Sequence, residues 1–194
     1  MKPSTRRSGS IRILGIDPGS RICGFGVLDL MGGQPRYVAA GALSAGPRET
    51  AVPERLARLH RGLAGAIRRY RPDALAVETP FVGRNVAAAF RIGEARGVIL
   101  LAASEAGVPV YEYAPAVVKR SVVGHGAASK PQTARLVQAW LGLPATPESA
   151  DAADALALAL CHAARSRSAL ALRHAAFPPQ ISPAPGRPRA GAMA

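Results

Sequence analysis

Short apolar runs separated by turn residues mark the beginning of the chain. Ile11–Ile16 and Ile22–Leu30 are apolar and rich in β-branched residues, and Asp-Pro-Gly at 17–19 separates them. Two such runs on either side of a turn predict an antiparallel hairpin. Met-Gly-Gly-Gln-Pro at 31–35 is a second turn signal, and the apolar segment Arg36–Ser44 follows it. The pattern therefore predicts three antiparallel strands.

Helical and strand patterns alternate through the rest of the chain. Leucine and isoleucine recur at three- and four-residue steps after the third strand, which is typical of a helix with one buried face. The predicted elements are a helix introduced by Pro47 and Pro53 and ending at Tyr70, a strand ending at Glu78, a helix from an Asn85 N-cap to about Ala106, a strand over Val108–Tyr113, a short helix within Ala114–Lys130, a helix over Pro131–Leu141, and a last helix from Thr146 to about Arg165. These elements predict an α/β fold with a mixed five-stranded sheet, in which parallel strands follow the three antiparallel ones.

The charge of the chain indicates what class of molecule it binds. The 194 residues carry a net charge of +13, and the two ends, 1–10 and 166–194, contain Lys and Arg but no acid. We expect one domain over 11–165 between two basic disordered tails, the second rich in Pro and Ala. A basic body with basic ends favours a polyanion such as nucleic acid, although tails of this kind also serve solubility alone.

The chain contains no apolar run of the roughly 20 residues that a membrane span needs, and no leader-like segment opens it. Cys23 and Cys161 lie far apart in sequence, and neither has a second Cys at metal-ligand spacing. We therefore expect a soluble cytoplasmic protein with two reduced thiols.

Four acids occur at positions where a site could form. Asp17 and Glu78 each end a predicted strand, and each taken alone is more simply a turn residue or an exposed charge. Asp151 and Asp154 lie three residues apart on one helix face, among Ala and Leu. If Thr146 caps that helix, both lie beyond its first turn and capping does not explain them.

Four carboxylates brought together would repel one another unless divalent cations neutralised them. Hard oxygen ligands suit Mg²⁺ or Mn²⁺, and a pair of such ions can support phosphodiester hydrolysis. Together with the basic charge, the acids favour a nuclease.

Two further segments are candidates for nucleic-acid contact. Phe81 follows the second predicted strand-end acid in a loop with Arg84 and Asn85, where it could either stack on a base or cap the core. Lys119 and Lys130 flank a glycine-containing turn that could approach a phosphate backbone. His125, inside that turn, is interpreted as a loop histidine rather than a metal ligand because no His or Cys lies nearby.

Five motifs in order resemble one family. They are Gly-Ile-Asp-Pro-Gly-Ser-Arg at 15–21, Val-Glu at 77–78 with Phe81, Gly-Glu-Ala-Arg-Gly at 93–97, Val-Val-Gly at 122–124, and Asp-Ala-Ala-Asp-Ala-Leu at 151–156. Together they resemble the RuvC family of crossover-junction endodeoxyribonucleases over residues 11–165.

The resemblance implies a ribonuclease H-like fold and a homodimer that makes paired symmetric nicks in a four-way DNA junction and leaves 5′ phosphates. It implies that Asp17, Glu78, Asp151 and Asp154 hold two Mg²⁺ ions per subunit, with Mn²⁺ able to substitute. It also implies that Phe81 stacks near the junction centre, that Lys119 and Lys130 lie near the DNA backbone, and that RuvA and RuvB are partners. Thr79 departs from the family pattern, which has Gln or Glu after the glutamate, so a hydrogen bond around the metal site is expected to differ.

Two other classes fit parts of the pattern. Asp-Pro-Gly at 17–19 followed by Gly24 and Gly26 is also typical of the phosphate loop of actin-like and sugar-kinase-like folds, which need two domains and a much longer chain. A non-catalytic junction-binding protein of the same fold would explain the charge but not the four acids.

Overall fold

The computed structural model describes residues 9–79, 86–124 and 129–176, with side chains described as far as Ser166. The strands are β1 Ile11–Asp17, β2 Ile22–Met31, β3 Gln34–Ser44, β4 Ala74–Glu78 and β5 Val110–Tyr113. The helices are α1 Val52–Tyr70, α2 Val86–Glu105, α3 Pro115–Val123, α4 Lys130–Leu141 and α5 Ala150–Ala176. Within these residues, no helix is both long enough and apolar enough to cross a membrane.

The strands form one sheet in the order β3-β2-β1-β4-β5. β1 pairs antiparallel with β2, and β2 pairs antiparallel with β3. β4 lies parallel to both β1 and β5. The predicted mixed five-stranded sheet is thereby confirmed.

Helices cover both faces of the sheet. Alternate residues of β1 point to opposite faces, so that Ile13 packs with α3, α4 and α5 while Leu14 and Ile16 pack with α1 and α2. Burial on both faces explains why residues 13–16 of β1 form a continuous apolar run. Asp17 follows the same alternation as Ile13 and therefore belongs to the face covered by α5.

A buried ion pair fastens the first half of β1. Arg12 is only 4% exposed. Its guanidinium donates to both carboxylate oxygens of Asp29, at 2.7 and 2.8 Å, and to the carbonyl oxygen of Tyr70 at 3.0 Å. The backbone N–H of the same residue donates to Oδ2 of Asp73 at 2.7 Å. The hydrogen bond to Asp29 raises the pKa of Arg12. The buried guanidinium at the beginning of the strand is therefore paired with a carboxylate.

The starts of α1 and β3 compare differently with the prediction. Helix α1 begins at Val52 with Pro53 in its first turn, as expected for a helix introduced by proline. The third strand begins at Gln34 rather than Arg36, because Gly32 and Gly33 both have positive φ (53° and 78°) and close a two-residue hairpin turn.

The last helix differs at both ends from its prediction. It begins at Ala150 rather than Thr146, because the hydroxyl oxygen of Ser149 accepts a hydrogen bond from the Ala152 N–H at 3.1 Å and supplies the cap. It continues to Ala176, past the predicted end at Arg165 and into the segment assigned to a disordered tail. That segment is rich in Ala, Leu and Arg, which are among the strongest helix formers.

Candidate active site

The adjacent ends of two parallel strands bring the first two acids together. Ile16 of β1 is in register with Val77 of β4, so Asp17 and Glu78, the next residue on each strand, end neighbouring strands at one edge of the sheet. Both side chains point to the face that α5 covers, because each lies two residues beyond a residue of that face. The two strand-end acids singled out in the sequence therefore belong to one site.

Three glycines allow α5 to lie directly on the sheet at this edge. A Cβ atom at Gly15 would overlap the carbonyl oxygen of Ala155, and one at Gly24 would overlap that of Asp151. At Gly26 a Cβ would lie 2.7 Å from the backbone nitrogen of Leu156, closer than real contacts allow. The close approach of helix and strands requires glycine at these positions. Gly24 and Gly26, typical also of a phosphate loop, here serve helix packing.

The second pair of acids, Asp151 and Asp154, lies in the first turns of α5. Asp151 lies in the first turn, where the helix dipole favours a carboxylate. The expectation that Asp151 lies beyond the first turn is therefore wrong, because it placed the helix start at Thr146; Ser149 supplies the cap, and Asp151 lies where the helix dipole favours an acid. Asp154 lies one turn further along and faces the strand ends.

Most of the residues that the sequence predicted for the site line one cleft of about 270 Å³. Its lining includes the acids Asp17, Glu78 and Asp154 together with Lys119 of α3 and Lys130 of α4. Thr133 and apolar residues of α3 and α5 complete the lining. Three acids and two lysines from five different elements thus line one small space, as no local sequence pattern could show.

Other predicted residues lie beside the cleft or outside the described residues. Asp151 is not part of the cleft lining, but its charge acts on Asp17. Thr79 fastens the strand ends, since its N–H donates to the carbonyl oxygen of Tyr113 at 2.9 Å. Phe81, Arg84, Asn85 and His125 fall outside the residues that the structure describes, so their predicted roles stay predictions.

The acids repel one another in a partly buried setting. Burial, followed by the charges of Asp154, Glu78 and Asp151, raises the pKa of Asp17 from 3.8 to about 7. The pKa of Glu78 is also raised, first by burial and then by Asp154, while Lys130 and Lys119 act in the opposite direction. A carboxylate with such a pKa sits where negative charge exceeds its compensation, which is a common property of functional sites.

One lysine compensates part of that charge by direct contact. The ammonium of Lys130 lies 3.0 Å from Oδ2 of Asp154 and donates a hydrogen bond to it. The bond raises the pKa of Lys130.

The donor chemistry of the cleft suits a hard divalent cation. Carboxylate oxygens are the ligands that Mg²⁺ and Mn²⁺ prefer, and three carboxylates line this cleft. Within the described part of the chain, no three Asp, Glu, His or Cys side chains already stand close enough to hold an ion. The residues present fit the ion, but their side chains must close around it.

Fold and site together define a class. A sheet of three antiparallel strands extended by two parallel ones, with acids on β1, β4 and a covering helix, is a ribonuclease H-like architecture with an acidic cleft. The yeast mitochondrial Holliday junction resolvase shares this fold, with a TM-score of 0.60 and 12% identity over 84% of each chain.

The sequence comparisons place the chain within that class. The family described as "Crossover junction endodeoxyribonuclease RuvC" matches residues 13–162, and the chain belongs to this family. A relative from Chloroflexus aggregans, named crossover junction endodeoxyribonuclease RuvC, is 50% identical over 153 residues, which are 79% of this chain and 93% of the relative. The solved structure of T. thermophilus RuvC in complex with a Holliday junction substrate matches with a TM-score of 0.77 and 38% identity, over 82% of this chain and 96% of the other.

Proposed function

We propose that this protein is a structure-specific endonuclease that resolves four-way DNA junctions by paired symmetric nicks, in homologous recombination and DNA repair. The observation that carries the proposal is the cleft that Asp17, Glu78 and Asp154 line together with Lys119 and Lys130. The acids suit metal ions and the lysines suit phosphates, so the cleft has the composition that phosphodiester hydrolysis requires. Membership of the RuvC family supports the choice of junction DNA as substrate.

Asp17, Glu78, Asp151 and Asp154 are proposed to hold two Mg²⁺ ions, for which Mn²⁺ can substitute. Bound ions would supply an activated water and stabilisation of the leaving oxygen, giving a 5′-phosphate product. The protein's own contribution is to hold the carboxylates at fixed strand ends and on a helix packed against those strands. Because these elements share one core, the ligands are positioned by the rigid part of the fold.

Lys119 and Lys130 are proposed to contact the DNA backbone, because both line the cleft that contains the acids and carry the positive charge that phosphates attract. Phe81, Arg84 and Asn85 are proposed to bind near the junction centre, with Phe81 stacking on a base. Their position directly after β4, which carries Glu78, supports a place beside the cleft.

A homodimer is proposed because paired nicks need two active sites. One face of α2 presents Val86, Phe90 and Leu101, with exposures of 59%, 72% and 53%. Gly93 and Gly97 lie on the same face with open space around them, while the opposite face packs into the core. An exposed apolar stripe with small residues at its centre is suited to close packing against the same stripe of a second copy.

The family resemblance further supports a cytoplasmic location and cooperation with the RuvA and RuvB branch-migration proteins. A polyanionic partner agrees with the net charge of +13.

The test is incubation of the purified protein with a labelled four-way junction and with a linear duplex of the same sequence, each with Mg²⁺ or with a chelator. We expect symmetric nicks in the junction alone, and only with the metal. Asp151→Asn should abolish cutting and leave junction binding in place. Tight junction binding without cutting, across several sequences and with Mn²⁺, would instead identify a non-catalytic junction-binding protein.

A further inference from the structure

The backbone of Lys130 is fixed by a capped helix turn, whereas its side chain is largely exposed and reaches Asp154. It is the first residue of α4, directly after the N-cap Ser129. A capping box fixes that turn, because the Ser129 N–H donates to Oε1 of Gln132 at 2.9 Å while the Gln132 N–H donates to the Ser129 hydroxyl oxygen at 3.4 Å. The side chain of Lys130 is nevertheless 71% exposed. Its ammonium can therefore change partners without any movement of the helix.

The helix itself gains nothing from a lysine at this position. A cation in the first turn opposes the helix dipole, which favours acids there. The side chain instead crosses to α5, where it meets Asp154, a carboxylate whose own exposure is only 27%. Exposed ion pairs are weak, so an ion or a phosphate can displace this one readily.

The contact occupies a carboxylate oxygen that the proposed function assigns to a metal ion. We propose that Lys130 is a built-in counter-cation that holds Asp154 in the DNA-free protein and competes with the divalent ion for it. A DNA phosphate entering the cleft attracts the ammonium away and frees the carboxylate. Ion binding and DNA binding then reinforce each other, since a coupling between two sites acts equally in both directions. The inference rests on the proposed function and adds a regulatory contact to the same site.

A matched pair of variants tests the competition. Lys130→Gln and Lys119→Gln each remove one positive charge from the same cleft, but within the described residues the ion pair with Asp154 is made by Lys130. Binding of Mn²⁺ to the DNA-free full chain is measured by the paramagnetic resonance of the free ion, and unfolding temperature checks the fold of each variant. We expect Lys130→Gln to bind Mn²⁺ up to about fivefold more tightly than Lys119→Gln, the range that an exposed ion pair allows. Lys130→Arg should bind no more tightly than the wild type.

Equal Mn²⁺ affinity in the two glutamine variants would overturn the inference, because it would leave only the general loss of charge. So would unchanged affinity in Lys130→Gln. Failure of the proposed function gives a different result: the wild type would then leave the junction uncut with Mg²⁺ and Mn²⁺, whatever the order of the Mn²⁺ affinities.

Discussion

The charged residue near the beginning of β1 is paired with an opposite charge, whereas the one at its end lies among like charges. At the beginning of the strand, the buried Arg12 meets the carboxylate of Asp29 through two hydrogen bonds and a backbone carbonyl through a third. At its end, Asp17 lies near three other acids, and its pKa rises to about 7. One strand thus carries both a satisfied ionic network and an unsatisfied one. The first stabilises the fold, whereas the second is an unfavourable arrangement that a bound cation would relieve.

The largest expected effect is on the rate of junction cutting, when Asp17 at the end of β1 is replaced. Asp17→Asn removes one proposed metal ligand and should lower the rate of junction cutting on the order of 10³-fold, because metal-assisted hydrolysis depends on several kcal/mol of charge stabilisation. Single-turnover cutting of a labelled junction measures it, with junction binding as the control. A rate within tenfold of the wild type would contradict a ligand role.

Arg12→Ala tests the buried ion pair at the beginning of β1. Removing the guanidinium leaves Asp29 buried without its ion-pair partner, which should lower the free energy of unfolding by about 3–5 kcal/mol. Urea denaturation measures the change. Arg58→Ala is the matched control, since it breaks an exposed pair with Glu54 on α1 and should cost about 0.5 kcal/mol or less. Equal effects in the two variants would remove the distinction between a buried and an exposed pair.

The free energy of unfolding should depend on pH through the titration of Asp17. The folded protein raises the pKa of Asp17 from 3.8 to about 7, so the folded state holds a proton that the unfolded chain releases. The stabilisation from that proton is present at acidic pH and is lost as the pH rises toward 7. Between pH 5 and pH 8, with chelator and without DNA, Asp17 should lower the free energy of unfolding by about 2–3 kcal/mol.

Asp17→Asn serves as the control for this titration. The variant should lose the contribution of Asp17 to the pH dependence between pH 5 and pH 8, because the asparagine side chain does not titrate; the contribution of His162, whose pKa is lowered by burial, is common to both proteins. A wild-type profile that coincides with that of Asp17→Asn would show that the acid is already compensated in the folded protein.

The smallest predicted effect concerns the contact that brings α5 to the strand. Gly15→Ala places a methyl group against the backbone of Ala155 and should lower the free energy of unfolding by about 1–3 kcal/mol, as overpacking does. Thermal unfolding measures it. Gly65→Ala is the control: it lies within α1 with open space around it, so the helix should become more stable by about 0.5–1 kcal/mol. Opposite signs in the two variants support the close packing of α5.

Sequence patterns were sufficient for the sheet and for the strand-end acids. Alternation and turn residues predicted the antiparallel strands, and the structure confirms that Asp17 and Glu78 each end a strand. These features are local, because an apolar run that stops at a polar residue marks a strand end within a few residues.

Features that depend on distant contacts were not predictable. A glycine in a strand has several uses, so nothing in the sequence near Gly24 indicated that α5 would lie against it. Thr146 was the predicted cap of α5, but Ser149, a hydroxyl residue three positions later, supplies it. The contact of Lys130 with Asp154 joins residues 24 positions apart and depends on how α4 meets α5.

The glycine contacts have a consequence for engineering the site. The backbone of α5 lies directly on Gly15 and Gly24, so a shift of the helix along the strands would bring it against residues that carry side chains. The spacing between the acids of the strands and those of the helix is therefore locked. A designer who wished to accept a larger ion would have to change the length of a side chain, Asp to Glu or the reverse, and leave the helix where it is.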